Sequence, residues 1–304
     1  MEERPCLTWI LGSSRSGSTW LLRMLGDLDG VVGIDDPHLG HHLELWRPIP
    51  LAWAAAAGDP ELTTLRELKR GRHDYFFSDR YADSWRPALR DLIVSRFMAQ
   101  ARDVAPGHAG PRIVVKEPGS QAAGLLTSLF PESNLIFLLR DGRDVVDSWL
   151  DAYQSGSWAQ EGGAFAVAPH GRIPLIRWLA SVWLFRTEAV QAAYSAHDAG
   201  RRLLVRYERL LEAGAAELGR VATLLNVEAS PAMLEGITRA HRFSAVASAK
   251  RGRGKQTRAA TPGRWRTSLS AAEQDALMAI LGEKLAELSY EPATDSGTGS
   301  AMVA

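Results

Sequence analysis

Short apolar runs alternate along the chain with segments whose apolar residues recur at helical spacing. Four of these runs are aliphatic or β-branched on both faces, as are strands buried in a parallel sheet. They are Leu7–Leu11, Arg112–Val115, Leu135–Leu139 and Arg202–Val205. The first and third runs lead directly into helical patterns, over residues 20–28 and 145–150. This alternation predicts an α/β fold in which helices flank a central parallel sheet and the crossovers are right-handed.

Two longer segments interrupt the alternation. Residues 43–110 are helical or irregular and rich in Trp, Arg and Leu. We expect them to form a helical insertion over the C-terminal edge of the sheet, where the active sites of such folds lie. Residues 244–268 contain glycines and many basic residues but no Asp or Glu, which indicates a basic loop.

The C-terminal region completes the predicted domain. Ser270 followed by Glu273 is a capping box, and it opens a last helix whose leucines make one apolar face. The residues after it are small and polar, so we predict a disordered tail over residues 294–304. Residues 1–293 are predicted to form a single domain.

Composition and charge exclude several classes of protein. The 304 residues are 46% hydrophobic and 23% charged, which is ordinary for a globular chain. Lys plus Arg and Asp plus Glu both number 35, whereas a dedicated nucleic-acid binder usually has a basic excess. The longest apolar run, Leu51–Ala57, is too short to span a bilayer, and the start does not resemble a signal peptide. We therefore expect a cytoplasmic protein with no membrane span and no nucleic-acid partner.

The stretch ILGSSRSGSTWLLRML, residues 10–25, has the frame of a phosphate-binding loop. Gly12, Gly17 and Thr19 match the pattern G-x-x-x-x-G-x-T. A strand, a glycine-rich turn and a helix together direct backbone N–H groups at one point, and the helix N-terminus favours negative charge there. The central sheet is therefore predicted to be of the P-loop type, and hydroxyl donors are added by Ser16, Ser18 and Thr19.

The lysine that normally follows the second glycine is absent. Ser18 stands in its place, and the cation of the loop is Arg15. In triphosphatases that lysine reaches the β- and γ-phosphates, while Mg²⁺ is held by the loop hydroxyl and a strand-borne Asp. The strand that ends in LIFLLRDGRD instead places Arg140 before the first acid. A less charged group than a terminal phosphate needs no metal, and sulfuryl is such a group.

Four motifs in order resemble the sulfotransferases that use 3′-phosphoadenosine 5′-phosphosulfate (PAPS). Their phosphosulfate loop is similar to residues 15–20, Arg-Ser-Gly-Ser-Thr-Trp. Their 3′-phosphate motif, a strand-end Arg with a Ser eight positions later, is matched by Arg140 and Ser148. A later Tyr-Glu pair is matched at Tyr207, and a final basic G-x-W motif at residues 263–266. The resemblance covers nearly the whole chain.

The resemblance implies a reaction and a set of binding residues. The enzyme would move sulfuryl from PAPS to a hydroxyl of a small-molecule, lipid or carbohydrate acceptor, by in-line attack and without a metal. Arg15 would bind the phosphosulfate and stabilise the charge that grows on the leaving phosphate. Residues 244–268 would cover the cofactor. The cofactor-binding residues would be Arg15, Ser16, Gly17, Ser18, Thr19, Trp20, Arg140, Ser148, Tyr207, Phe243, Arg258, Gly263 and Arg264.

Two of these side chains have an equally good structural explanation. Trp20 and Phe243 are candidate stacking faces for adenine, but core packing accounts for either aromatic ring as well. The Trp-rich insertion, with Trp46, Trp53 and Trp85, hints at an apolar or ring-bearing acceptor, although these residues too fit a hydrophobic core.

The base that would accept the hydroxyl proton is left open between three residues. In the cytosolic branch of the family a strand ends at a histidine base, whereas this chain has Lys116-Glu117-Pro118. The departure resembles the bacterial and carbohydrate branches, where acids often serve. Glu117 is the first candidate, with Lys116 as an electrostatic partner that would lower its pKa. Asp36 is the second and His38 the reserve, because a strand and turn within residues 30–46 would bring them toward the loop.

Two other functions remain as alternatives. One is a nucleotide or nucleoside kinase of P-loop fold, which the missing loop lysine disfavours. The other is a nucleotide-binding protein without catalysis, since binding motifs do not prove turnover. Three histidines within residues 38–42 suggest zinc only weakly, because no cysteine or H-E-x-x-H helix accompanies them. The acceptor and the oligomeric state are not determined by the sequence.

Overall fold

A single parallel sheet organises the part of the chain that the structure describes. The structure is a computed structural model, and it describes residues 5–44, 62–106, 112–154, 156–158, 171–250, 252, 254–255 and 260–290. Five strands lie in the order β2-β3-β1-β4-β5. They are β1 (Cys6–Leu11), β2 (Val31–Asp35), β3 (Arg112–Lys116), β4 (Asn134–Leu139) and β5 (Arg202–Arg206). The α/β fold is confirmed, and each predicted strand is present within one or two residues.

All strand pairs are parallel, so their carboxyl ends meet at one edge of the sheet. Strand β3 lies between β2 and β1, with Lys116 opposite Asp35 on one side and Ile10 on the other. The Arg112–Lys116 strand therefore neighbours the strand that leads into the phosphate loop. Strand β2 supplies the strand and turn that were expected to return residues 35–38 to the loop.

Helices cover both faces of the sheet. The long ones are α1 (Ser18–Gly26), α4 (Ala82–Val104), α6 (Gly142–Ala152), α7 (Arg172–Ala196), α9 (Gly214–Leu224), α10 (Pro231–Ala240) and α12 (Ala271–Glu287). The short ones are α2 (Leu39–Leu43), α3 (Leu65–Lys69), α5 (Ala123–Leu129), α8 (Tyr207–Glu212) and α11 (Trp265–Ser268). None of the helices in the described ranges combines the length and the apolar character that crossing a membrane requires.

The two faces of the sheet bury two separate cores, because side chains alternate along each strand. Leu7, Trp9 and Leu11 of β1 face a core that includes residues of α4, α5, α6, α7 and α12. Ile10 faces a second core with residues of α1, α9 and α10. The strands therefore carry apolar residues on both sides, which is why they appear as continuous hydrophobic runs in the sequence.

The predicted insertion is helical where it is described. Its long helix α4 packs on a face of the sheet through Trp85, Ile93 and Phe97, and Phe97 lies against Trp9 with ring centroids 6.1 Å apart. Trp85 is thus a core residue. Residues 45–61, and with them Trp46 and Trp53, lie outside the described residues, as does the predicted tail 294–304.

The last helix begins as the sequence predicts. The side chain of Glu273 accepts a hydrogen bond from the backbone N–H of Ser270 at 2.8 Å, and Ser270 is the residue at which α12 is capped. The apolar face of the helix is buried through Leu277, Leu281 and Leu285. The capping box is confirmed.

A backbone crossing fixes the turn after β3 against α2. Gly40 and Gly119 approach so closely that a Cβ built on Gly119 would lie 2.6 Å from the Gly40 Cα atom. A Cβ on Gly40 would lie 1.9 Å from the Gly119 carbonyl oxygen. Only glycine fits at both positions, and the contact brings α2 to the carboxyl edge of the sheet.

We expect Gly119→Ala to lower the free energy of unfolding by about 1–3 kcal/mol, because backbone atoms cannot move aside as a flexible side chain would. The matched control is Gly236→Ala in helix α10, where no heavy atom lies within 4 Å of the added Cβ. That change should be neutral or stabilise by up to about 1 kcal/mol through helix propensity. Urea unfolding measures both, and equal effects would contradict the crossing as a packing constraint.

Candidate active site

The glycine-rich loop ends in a helix N-terminus with unpaired backbone donors. Gly17 caps α1 in the left-handed region, with φ of 89°, a conformation that favours glycine. The first hydrogen bond inside α1 runs from the Leu21 N–H to the Gly17 carbonyl at 3.0 Å. The N–H groups of residues 18–20 therefore have no partner within the helix and can bind an anion.

Two arginines lie close together at this loop, Arg15 within it and Arg140 directly after β4. The Nη1 atom of Arg140 donates to the Arg15 carbonyl at 2.8 Å, and its guanidinium lies over the Tyr207 ring, 4.4 Å from the centroid. Its Nε atom is buried without a hydrogen-bond partner. The Arg15 Nε donates to the Ser148 hydroxyl at 3.1 Å. The structure thus brings together residues of three of the four motifs, Arg15, Arg140 with Ser148, and Tyr207, although they are up to 192 positions apart along the chain, from residue 15 to residue 207.

Lys116 contributes a nearly buried cation beside the loop. Its Nζ atom donates to the Thr19 hydroxyl at 2.8 Å and lies 2.8 Å from the Asp35 and 2.9 Å from the Asp36 carboxylate. Only 8% of the residue is exposed, so these partners offset the cost of removing an ammonium group from water. Lys116 therefore joins α1 to the end of β2.

Glu117, the residue directly after β3, has other partners than Lys116. Its Oε2 accepts from the Leu39 N–H at 2.9 Å and its Oε1 from the Gly119 N–H at 2.7 Å. Burial raises the pKa of Glu117, and the backbone N–H donors offset this only in part. The expectation that Lys116 lowers this pKa is wrong, since the ammonium is directed at other carboxylates and desolvation dominates.

The other two base candidates lie in the turn between β2 and α2. Asp36 and His38 both have left-handed backbone, with φ of 49° and 57°, and both line the same cavity as the loop. The Asp36 backbone N–H donates to the Lys116 carbonyl at 3.1 Å. The side chain of Asp36 is 43% exposed. The prediction that this turn returns to the loop is confirmed in its geometry.

His41 also lines the cavity, and the sequence analysis considered it only as a weak zinc candidate. Burial, with neighbouring Arg186, lowers the pKa of His41 to about 4, so its imidazole is neutral near pH 7. Its Nδ1 lies 3.4 Å from the amide nitrogen of Gln121. The available sequence signal was its position three residues after the base candidate His38, and the two ring centroids lie 5.6 Å apart.

The carboxylates of α6 hold the basic C-terminal segment in position. Asp144 accepts from the Gly263 N–H at 2.7 Å, and burial raises the pKa of Asp144. Asp147 accepts from the Ser268 hydroxyl at 2.6 Å, and Asp151 accepts from the Gly254 N–H at 2.8 Å. These aspartates stand three and four residues apart and so share one face of the helix. The sequence analysis did not identify this role, because the partners are more than 100 residues away.

The remaining predicted residues divide into three groups. Trp20, Phe243 and Arg264 line the cavity, and Trp20 lies edge-on to Tyr207 with centroids 5.9 Å apart. Ser16 is buried beneath the loop and Gly263 is held by Asp144, so neither forms part of the cavity wall. Arg258 lies outside the described residues.

The arrangement can bind an anionic nucleotide-like ligand and present a second molecule to it. The cavity has a volume of about 720 Å³, within the range of ligand sites. Backbone N–H groups and cations converge at the loop, while candidate proton acceptors lie on the adjoining turn. Among the described residues, no three His, Cys, Asp or Glu side chains lie together as metal ligands.

Comparisons with known proteins agree on one family. The sequence profile of the sulfotransferase family matches residues 8–231. A mouse sulfotransferase complexed with PAP, adenosine 3′,5′-bisphosphate, is 12% identical with a TM-score of 0.55, over 94% of this chain and 86% of that one. The sulfotransferase domain of the Synechococcus PCC 7002 olefin synthase is 18% identical with a TM-score of 0.51, over 96% and 97%. Retinol dehydratase in complex with retinol and PAP is 14% identical with a TM-score of 0.50, over 96% and 85%. At such identities the likeness establishes the fold, and no curated protein sequence matches the chain.

We expect stability to fall as the pH falls through the window between 6.5 and about 4. In this window His41 becomes protonated in the unfolded chain. In the folded protein it remains neutral, because burial lowers the pKa of its imidazole. His41→Gln should remove this part of the pH dependence, on the order of 2 kcal/mol before solvent screening reduces it. Urea unfolding at pH 7 and at pH 4.5 measures the difference. The control is His42→Gln on the exposed side of α2, and an equal change in both variants would contradict the assignment to His41.

Proposed function

The chain belongs to the sulfotransferase family, and on that premise we propose that it transfers sulfuryl from PAPS to a hydroxyl group of an acceptor. The acceptor oxygen forms a bond to sulfur as the bond from sulfur to the 5′-phosphate oxygen breaks. PAP leaves with that electron pair, and the hydroxyl proton passes to a base. The products are the sulfate ester, PAP and a proton.

The residues at the loop fit the donor. The N–H groups at the start of α1 and Arg15 would hold the phosphosulfate, while Arg140 and Ser148 would hold the 3′-phosphate. The buried Nε of Arg140, which has no partner, supports an anion there, because such donors are costly to leave unpaired. The mouse sulfotransferase and retinol dehydratase of the same fold were crystallised with PAP, which supports PAPS as the donor.

The observation that carries this proposal is the position of Lys116. In P-loop triphosphatases and kinases of that class, Mg²⁺ is held by the loop hydroxyl and a strand-borne Asp. Here the Lys116 ammonium contacts the corresponding hydroxyl of Thr19 and the carboxylate of Asp35, both at 2.8 Å. The Lys116 ammonium thus contacts the same two types of group, a loop hydroxyl and a carboxylate, that bind Mg²⁺ in a triphosphatase. This contact favours sulfuryl transfer over the kinase alternative.

We assign the base to Asp36. Both oxygens of Glu117 accept backbone N–H groups, so that side chain positions α2 and the turn after β3. Asp36 lines the cavity with a largely accessible carboxylate, and its left-handed backbone is the kind of local strain found at functional sites. Lys116 beside it would then attract the sulfuryl oxygens. An acidic base supports placement in the bacterial and carbohydrate-like branch.

Ligand binding separates the sulfotransferase from the kinase. We expect PAP at a hundred times its dissociation constant to stabilise the protein by about 2.7 kcal/mol, and ATP with Mg²⁺ to do much less. Arg140→Ala should weaken PAP binding but barely change the binding of adenosine 5′-monophosphate, which lacks the 3′-phosphate. Thermal melting measures each ligand, and stabilisation by ATP with Mg²⁺ alone would contradict the proposal.

Turnover separates the enzyme from a silent nucleotide-binding protein. Sulfuryl transfer from PAPS should proceed undiminished after metal ions are removed by chelation, because Lys116 supplies the cation in place. PAP binding without transfer to any hydroxyl acceptor in a broad panel would favour the silent alternative.

We expect Asp36→Asn to lower turnover by roughly 10²–10⁴ while PAP binding is unchanged, which is the range for loss of a general base. Glu117→Gln should act mainly on stability, because the amide can accept only part of the hydrogen bonds to Leu39 and Gly119. His38→Ala and His41→Ala complete the set, each measured for turnover and for PAP affinity. Near-normal turnover of Asp36→Asn would reject the assignment, and the variant with the selective loss would identify the base.

A further inference from the structure

Helix α7 extends the cavity away from the phosphate loop. Arg186 donates to the Ser14 hydroxyl at 2.8 Å, which anchors one point of the helix to the loop. Val182, Leu179 and Trp178 line the same cavity four, seven and eight residues earlier. At 1.5 Å per residue, Trp178 lies about 12 Å along the helix axis from Arg186. The cavity wall therefore changes from cationic to apolar along α7.

Helix α6 shows the same change. Ser148 accepts the hydrogen bond from Arg15, and the lining residues that follow it on the helix are Trp149 and Tyr153, with ring centroids 6.3 Å apart. Trp158 adds a third ring, and its face lies 5.3 Å from the Arg15 guanidinium. The aromatic residues of α6 thus begin directly beside the guanidinium assigned to the phosphosulfate.

We define the aromatic wall as the cavity-lining residues Trp149, Tyr153, Trp158, Trp178, Leu179 and Val182. Among the described residues, this wall contains no carboxylate, carboxamide or aliphatic hydroxyl. A ligand with many hydroxyl groups would lose its hydrogen bonds to water here with few to replace them. Flat apolar rings, in contrast, stack on indole and phenol faces and gain from leaving water.

We propose that the aromatic wall is the acceptor subsite and that it takes hydroxyl compounds built on flat, apolar ring systems. The inference rests on the sulfuryl transfer proposed above and specifies its substrate class. A ring on the wall would direct its hydroxyl toward Arg15, since Trp158 contacts that guanidinium. The base candidates of the β2–α2 turn line the same cavity, which leaves the hydroxyl between the donor site and a proton acceptor.

The sequence suggested a ring-bearing acceptor from other tryptophans, of which only Trp85 is described, and for Trp85 the alternative of core packing holds. Trp85 of the insertion packs in the core, where its indole N–H donates to the Ser78 carbonyl at 2.9 Å. The aromatic residues of the wall come from α6 and its C-cap Tyr153, from α7 and from Trp158 between them.

The test measures binding as well as turnover. Probes are 2-naphthol as the ring-bearing hydroxyl compound and methyl glucoside as the polyhydroxylated one, each followed by equilibrium binding with saturating PAP present and by transfer from PAPS. Trp178→Ala should weaken 2-naphthol binding about tenfold, whereas Trp178→Phe should restore most of it. The matched control is Phe76→Ala, which removes an aromatic side chain that is 77% exposed and outside the cavity. An unchanged melting shift with PAP shows that each variant is folded.

The outcomes distinguish the subsite from the proposed reaction. Naphthol binding that depends on Trp178 supports the inference, and if no sulfuryl then passes from PAPS to the ring hydroxyl, only the proposed reaction falls. If PAP binds but 2-naphthol does not, or Trp178→Ala binds it as well as Phe76→Ala does, the inference is overturned and the reaction stands. Preferential transfer to methyl glucoside would likewise overturn the substrate class.

Discussion

The nearly buried ammonium of Lys116 is the interaction on which the rest of the site depends. An ammonium group is held out of water only where charged and hydrogen-bonding partners replace its hydration. Those partners come from two other parts of the chain, Thr19 on α1 and Asp35 with Asp36 at the end of β2. Meeting this one requirement therefore sets the distance between the phosphate loop and the turn that carries the proton acceptors. The Lys116 side chain also supplies the site with a positive charge from the protein itself.

A second constraint acts from the opposite side of the cavity. The segment 236–272 has no acidic residue of its own, so its position depends on carboxylates elsewhere. Helix α6 provides them on one face, with Asp144 bound to Gly263 and Asp151 bound to Gly254. The same helix presents Ser148 to Arg15. One helix thus holds the basic segment, contacts Arg15 of the loop and begins the aromatic wall, so the proposed donor and acceptor sites share one rigid element.

Contacts outside the motifs changed the interpretation of individual residues. Glu117 was the first choice for the base because it ends a strand beside the loop, but its two oxygens serve backbone N–H groups near α2. His41, weighed in the sequence only for zinc, proved to be a neutral cavity residue through burial and the nearby Arg186. Neither outcome follows from local pattern, because burial and the choice of hydrogen-bond partner are set by segments distant in sequence.

Sequence patterns alone were sufficient to predict the α/β class, the positions of the strands and the residues of the phosphate motifs. These features depend on local periodicity and on spacings of a few residues, which the backbone geometry of strands, turns and helix termini imposes directly. The folded structure was needed to show that Lys116 binds Asp36 while Glu117 accepts from Leu39, because these partners belong to a segment distant in sequence. It also decided which aromatic residues line the cavity. Side chains of α6 and α7 that line one cavity leave no periodic signal in the sequence, since their proximity arises from the packing of the two helices.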